Sequence, residues 1–209
     1  MGRAPPRFDA LFVDALPPAV LPKRVPIPPT FYAEDTEAPF EACLACERPL
    51  REGPVDYVIE KGYRAFEDYD VEETVFGYAL CLRCHASLSL SFSASSKRRC
   101  QSYLEAHVDL RGRSEALMDA APSPPERWTR RCIVHGTPRA ELQEYQLLAH
   151  CRGDELLLTH LPLLIGGPAV EALTQRLSNE TLDELGGFRD EHFGLPPEVQ
   201  RQPQGPVFA

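Results

Sequence analysis

The clearest pattern along the chain is a pair of strand-like runs in its first half. Residues 55–61 alternate apolar and polar positions, and residues 73–80 are rich in β-branched and aromatic side chains. Together they predict an antiparallel hairpin, with residues 64–72 as an acidic, aromatic loop. After Cys84 the spacing turns helical: Leu88, Phe92, Ser95 or Ser96, Tyr103, Leu104 and His107 fall at helical intervals. The serine-rich middle of that stretch lowers its helix propensity.

A second set of elements follows. Residues 143–151 and 155–160 read as two strands joined by Arg152-Gly153-Asp154, a sequence suited to a tight turn. Gly166-Gly167-Pro168 predicts a helix start with proline in the first turn, and Val170, Leu173 and Leu177 form its apolar stripe. A further helix is expected from about Leu182, with Thr181 as N-cap and Glu184 completing a capping box. Leu147, Leu156, Leu158, Leu173, Leu177 and Leu185 are the expected core of this part. No internal repeat is visible in the letters.

Proline sharpens the division. It accounts for 21 of 209 residues, about twice ordinary usage, and is concentrated before residue 40. Residues 1–39 therefore read as a proline-rich N-terminal arm, relieved by one short helical stripe of Phe8, Leu11, Phe12 and Ala15. Residues 40–107 form the first module, 108–128 a proline-bearing linker, 129–195 a second α+β unit of a hairpin plus two helices, and 196–209 a C-terminal tail. The fold class is α+β.

Cysteine supplies the chemistry. Four of the seven cysteines form two C-x-x-C pairs, Cys43/Cys46 and Cys81/Cys84. Zinc takes four ligands tetrahedrally, and thiolates are among its best. Each C-x-x-C turn presents two sulfurs, and the hairpin between the pairs carries the chain out and back. Cys81 and Cys84 fall where the second strand gives way to the helix. Knuckle, hairpin, then a helix whose first turn holds the last two ligands resembles the treble-clef class of four-cysteine zinc modules, with zinc ribbons the close alternative. The resemblance covers residues 40–107 and implies one structural Zn2+ held by Cys43, Cys46, Cys81 and Cys84. The chain departs from the usual knuckle by carrying Glu47 and His85 where glycine commonly follows the second cysteine. More faintly, Tyr57-Val-Ile-Glu-Lys61, Tyr78-Ala-Leu-Cys81 and Glu144-Tyr145 resemble uncharacterised bacterial zinc-binding proteins of similar length. That likeness implies a soluble bacterial protein and no particular activity.

Other chemistry is weaker. Cys132-Ile-Val-His135-Gly136 looks like a knuckle with imidazole in place of one sulfur, and with Cys151 and His150 or His160 it offers a second zinc set. Strand alternation sends His150 and Cys151 to opposite faces, so buried, unligated cysteines are the expectation. A nucleophilic Cys132–His135 pair is the third reading, but no glycine-rich nucleophile elbow, Walker loop or H-E-x-x-H accompanies it. Cys100 follows Lys97-Arg98-Arg99 and reads as a helix cysteine. Glu67, Asp68, Asp70, Glu72 and Glu73 read as a solvated loop rather than a cation site.

The net charge of -9 argues against general nucleic-acid affinity, although residues 97–139 are net basic. The expectation is a non-enzymatic, cytoplasmic zinc protein acting through an unidentified protein partner, by way of the N-terminal arm and the acidic loop. The runner-up is a nucleic-acid-binding module using Lys97, Arg98, Arg99, Arg111 and Arg113. No membrane span or secretory signal is expected.

Overall fold

In the computed structural model the two strand-rich stretches meet in one sheet. The structure describes residues 22–66, 71–119 and 125–194. The expected stripe at 8–15, the loop residues Glu67, Asp68 and Asp70, and the tail lie outside them. The strands are β1 (Lys23–Pro26), β2 (Asp56–Phe66), β3 (Val71–Cys81), β4 (Glu144–Arg152), β5 (Glu155–Leu158) and β6 (Leu163–Gly166). They form a six-stranded sheet in the order β1-β5-β4-β2-β3, with β6 also paired to β4. All strand pairs are antiparallel. Five helices accompany them among the described residues: α1 (Leu82–Ser91), α2 (Ala94–His107), α3 (Leu110–Asp119), α4 (Gly167–Thr174) and α5 (Asn179–Phe193). The architecture is α+β, as the sequence pattern implies.

The pairing that shapes the molecule is β2 with β4, from Asp56↔Arg152 to Arg64↔Glu144. It joins the stretch expected as the first module to the stretch expected as the second unit. Because β2 and β4 are central, they are buried on both faces. Tyr57 through Tyr63 are all buried on β2, as are Tyr145 through Cys151 on β4. The alternation expected over residues 55–61 is therefore not matched by alternating burial: both faces of β2 are covered. The leucines expected as a separate core are buried, but in one continuous cluster with Leu50, Tyr57, Ile59 and Leu80.

Several elements differ from the sequence pattern. The hairpin runs further than predicted: after a register shift between Gly62 and Tyr63, pairing continues to Phe66↔Val71, which consumes most of the expected 64–72 loop. The helical stretch after Cys81 is two helices. Its break at Phe92-Ser93 arises because Ser93 caps α2, accepting from the Ser96 N–H at 3.1 Å, while its own N–H donates to Thr181 Oγ1 at 3.0 Å. Thr181 is therefore not the cap of α5. Ser178 is, accepting from the Thr181 N–H at 3.3 Å, and the helix begins at Asn179. The 108–128 stretch contains α3, whose Leu117 is fully buried. Among the described residues no helix is long and apolar enough to cross a membrane.

Candidate metal centre

The first knuckle is built by backbone hydrogen bonds. The Glu47 N–H donates to Cys43 O at 2.8 Å and the Cys43 N–H to Arg48 O at 2.9 Å. These bonds close residues 43–48 into a tight turn, flanked by a bridge between Ala42 and Pro49. The turn requires a left-handed residue after Cys46, and Glu47 takes that place with φ of 56°. The Leu44 N–H then donates to Ala79 O at 2.9 Å, which ties the knuckle to β3 just before Cys81. Since α1 starts at Leu82, Cys84 lies in its first turn.

This arrangement brings the four predicted ligands together. The Sγ atoms of Cys43, Cys46, Cys81 and Cys84 all lie within 4.8 Å of one another. Cys46 and Cys81 sulfurs are 3.8 Å apart, close to the edge of a tetrahedron with Zn–S bonds of about 2.3 Å. Cys43 Sγ also accepts the Cys81 N–H at 3.3 Å. Cys43 and Cys81 are buried, Cys84 is half-buried and Cys46 is exposed. All seven cysteines are free thiols.

The electrostatics are uneven across the set. The Arg48 backbone N–H holds Cys46 down to about 7, whereas burial pushes Cys81 and Cys84 up. Four thiols at this separation cannot all ionise unaided, because like charges in a desolvated site repel. A bound divalent cation reverses that balance. The donor set fits such an ion: four sulfurs, all within 4.8 Å of one another, of the type that zinc prefers.

Elsewhere the candidates separate. Cys132 is buried and its Sγ accepts the Gly166 N–H at 3.3 Å. His135 Nε2 faces the Tyr103 hydroxyl at 3.3 Å. Cys151 is enclosed at the start of the β4–β5 turn, and burial raises its thiol. Its register partners are Tyr57 and Leu156. Among the described residues the four-cysteine cluster is the one group able to hold a metal, so Cys132, His135 and Cys151 do not close a second cage. Burial also pushes Cys100 up to about 11, the opposite of an activated thiol.

Of the basic residues, Arg113, Arg99 and Arg111 have partners within the chain. Arg113 donates to the carbonyls of His160, Trp128 and Pro162, and burial lowers it to about 10. Arg99 donates to Arg176 O at 2.7 Å, and Arg111 pairs with Glu115. In the acidic loop, Glu72 pairs with Arg139 at 2.7 Å, and Arg139 in turn lies over the Tyr63 and Tyr145 rings.

Sequence reasoning passed over a set of buried and half-buried charges on the central strands. Glu60 accepts from the Tyr78 hydroxyl. Lys61 donates to Tyr32 O at 2.7 Å and to Glu34. Asp56 holds Arg152 by two hydrogen bonds and lies 3.4 Å from His150 Nε2. Burial lowers the His150 pKa against the opposing pull of Asp56. The available signal was Glu60-Lys61 inside an otherwise apolar strand run. No protein-family model matches the chain, and neither a curated protein nor a solved structure matches it.

Proposed function

We propose that Cys43, Cys46, Cys81 and Cys84 hold one structural zinc ion, and that the protein is a non-enzymatic, zinc-organised protein that works by contacting another protein. The observation that carries this reading is the approach of four thiol sulfurs, from a knuckle and a strand-to-helix junction, to within 4.8 Å. Knuckle, hairpin and helix in this order are the parts of a treble-clef module. A cage of four protein sulfurs leaves no coordination position for water or substrate, which suits structure and not catalysis. The metal supplies the bond that pins the knuckle to the β3–α1 junction, and the protein residues supply its geometry.

The contact surface is assigned to the far end of the β2–β3 hairpin. Of five large apolar side chains exposed among the described residues, three are Phe66, Val71 and Val75 on this hairpin. Phe66 and Val71 are directly paired, and Glu72 and Glu73 adjoin them. An exposed apolar pair beside carboxylates suits a protein surface with a complementary basic rim better than it suits nucleic acid.

Elemental analysis of the purified chain tests the metal. One zinc per chain is expected, and none after Cys81→Ser/Cys84→Ser. Iron is the other metal that four thiolates take, and the same analysis separates them. A wild-type chain without metal and with four titratable thiols at this site would overturn the reading. For the contact, proteins captured by the wild-type chain should be lost with Val71→Glu and kept with Leu90→Glu, which alters the exposed Leu90 on α1.

A further inference from the structure

We propose that residues 130–192 are a second copy of the module at 41–107, folded against the first about a local twofold axis, and that Cys132, His135, Gly166 and Ala169 occupy its four ligand positions. The second copy thus carries a latent zinc site with two of its four donors removed. This inference rests on the four-cysteine centre being a zinc site.

The two knuckles share their hydrogen bonds. Cys132 N–H donates to Thr137 O at 2.8 Å and Gly136 N–H to Cys132 O at 2.8 Å, the same bonds that Cys43–Arg48 and Glu47–Cys43 make. A bridge between Arg131 and Pro138 repeats the one between Ala42 and Pro49. Glu47 and Gly136 are both left-handed. Each knuckle docks on its strand alike. Ile133 N–H donates to Leu164 O at 2.8 Å, as Leu44 N–H does to Ala79 O. Gly166 N–H donates to Cys132 Sγ at 3.3 Å, as Cys81 N–H does to Cys43 Sγ. Gly166 therefore stands where Cys81 stands. Each is the last residue of its strand, and each is followed at once by a helix.

From there the copies run without a gap. Ser93 and Ser178, 85 positions apart, both cap the second helix of their copy. Ser96 and Thr181 have the same separation. One helical turn from the end, Tyr103–His107 and Phe188–His192 pack ring on ring with centroids 4.3 Å apart in each case. By the same count Ala169 corresponds to Cys84. In the sheet, Tyr57 pairs with Cys81 and Tyr145 with Gly166, so β2 corresponds to β4 and β3 to β5 with β6.

The twofold is visible in the contacts between copies. If Tyr57 corresponds to Tyr145, then Glu60 corresponds to Leu148, and these two are register partners in the antiparallel β2–β4 pair. A residue paired with its own counterpart lies on the axis. The helix caps also exchange bonds across it: Ser93 N–H donates to Thr181 Oγ1 at 3.0 Å, and Ser178 N–H donates to Ser96 Oγ at 2.8 Å. Neither relationship is required of two unrelated units that happen to touch.

The experiment restores the missing donors in the full chain. Gly166→Cys/Ala169→Cys should raise bound zinc from one to two per chain, and adding Cys132→Ser should return it to one. A Cβ at Gly166 would come within 2.8 Å of Leu142 Cδ2, so the same pair is also made with Leu142→Ala to open space. As a metal-independent arm, Ala169→Cys alone, treated with diamide, should form a disulfide between Cys132 and the introduced thiol, read by peptide mass spectrometry. A folded double variant with one zinc, or a folded single variant that forms no such disulfide, overturns the repeat. A parent chain with no zinc would instead refute the metal reading, and the disulfide arm would still judge the repeat.

Discussion

Glu47 and Gly136 hold the same place in two knuckles with the same hydrogen bonds, at φ of 56° and 69°. Only the second is the residue that this backbone favours. A side chain in the left-handed region costs roughly 1–2 kcal/mol, part of which glycine returns as unfolded-state entropy. Glu47→Gly should therefore stabilise the chain by about 0.5–1 kcal/mol. Gly136→Ala, which meets no atom within 4 Å, should destabilise it by about 1 kcal/mol through backbone strain alone. Urea unfolding midpoints measure both.

Metal removal should be felt beyond the knuckle. Structural zinc contributes on the order of 10–16 kcal/mol in isolated finger peptides, but here β2 sits between β3 and β4. Loosening the knuckle and the β3–α1 junction frees one side of β2, and β2 is paired with β4 over its length. With a strong chelator, amide hydrogen exchange should lose protection in β2 and β3 and also in β4. Full protection retained in β4 and β6 would show that the two halves unfold as separate units, the division that the linker at 108–128 suggests.

Lys61 is buried and its charge is met by Tyr32 O and Glu34. Hydrogen bonds from Lys61 and Thr74 lower the Glu34 pKa from its ordinary value of 4.5. A carboxylate depressed in the folded state stabilises above its unfolded pKa, and that stabilisation is lost as pH falls through the folded value. Stability should therefore decline below about pH 4.5, and less so in Glu34→Gln. The Glu34 side chain is 58% exposed, so water replaces part of the partner. The substitution should cost about 1–2 kcal/mol at neutral pH.

The crossed caps should be coupled. Ser178→Ala removes the α5 cap and a partner of both Ser93 and Ser96, at about 1–2 kcal/mol. Ser93→Ala should cost a similar amount for the matching reason. Because the two hydroxyls share one network, the double variant should fall short of additivity by about 0.5–1 kcal/mol. Strict additivity in a double-mutant cycle would mean that the caps act independently.

What the sequence determined by itself is local. C-x-x-C spacing sets which thiols share a turn, so Cys43, Cys46, Cys81 and Cys84 were legible as one site. Turn and helix-start chemistry was legible for the same reason: Gly153 adopts φ of 56° between β4 and β5, and Pro168 opens α4. Tertiary structure decided which strands are central, and hence why Glu60 and Lys61 lie inside a sheet. It ended α1 at Ser91, because Ser93 finds Thr181 from a distant helix. It also carries the repeat. The copies keep few matching letters, and what they share is backbone hydrogen bonding, strand register and cap geometry, which many side chains satisfy equally well. In the second copy the cage positions hold Gly166 and Ala169. There, Ala169, Val170 and Leu173 are buried in the common core, so apolar packing fills the place that Cys81 and Cys84 hold in the first copy, and no motif of residue types records that exchange.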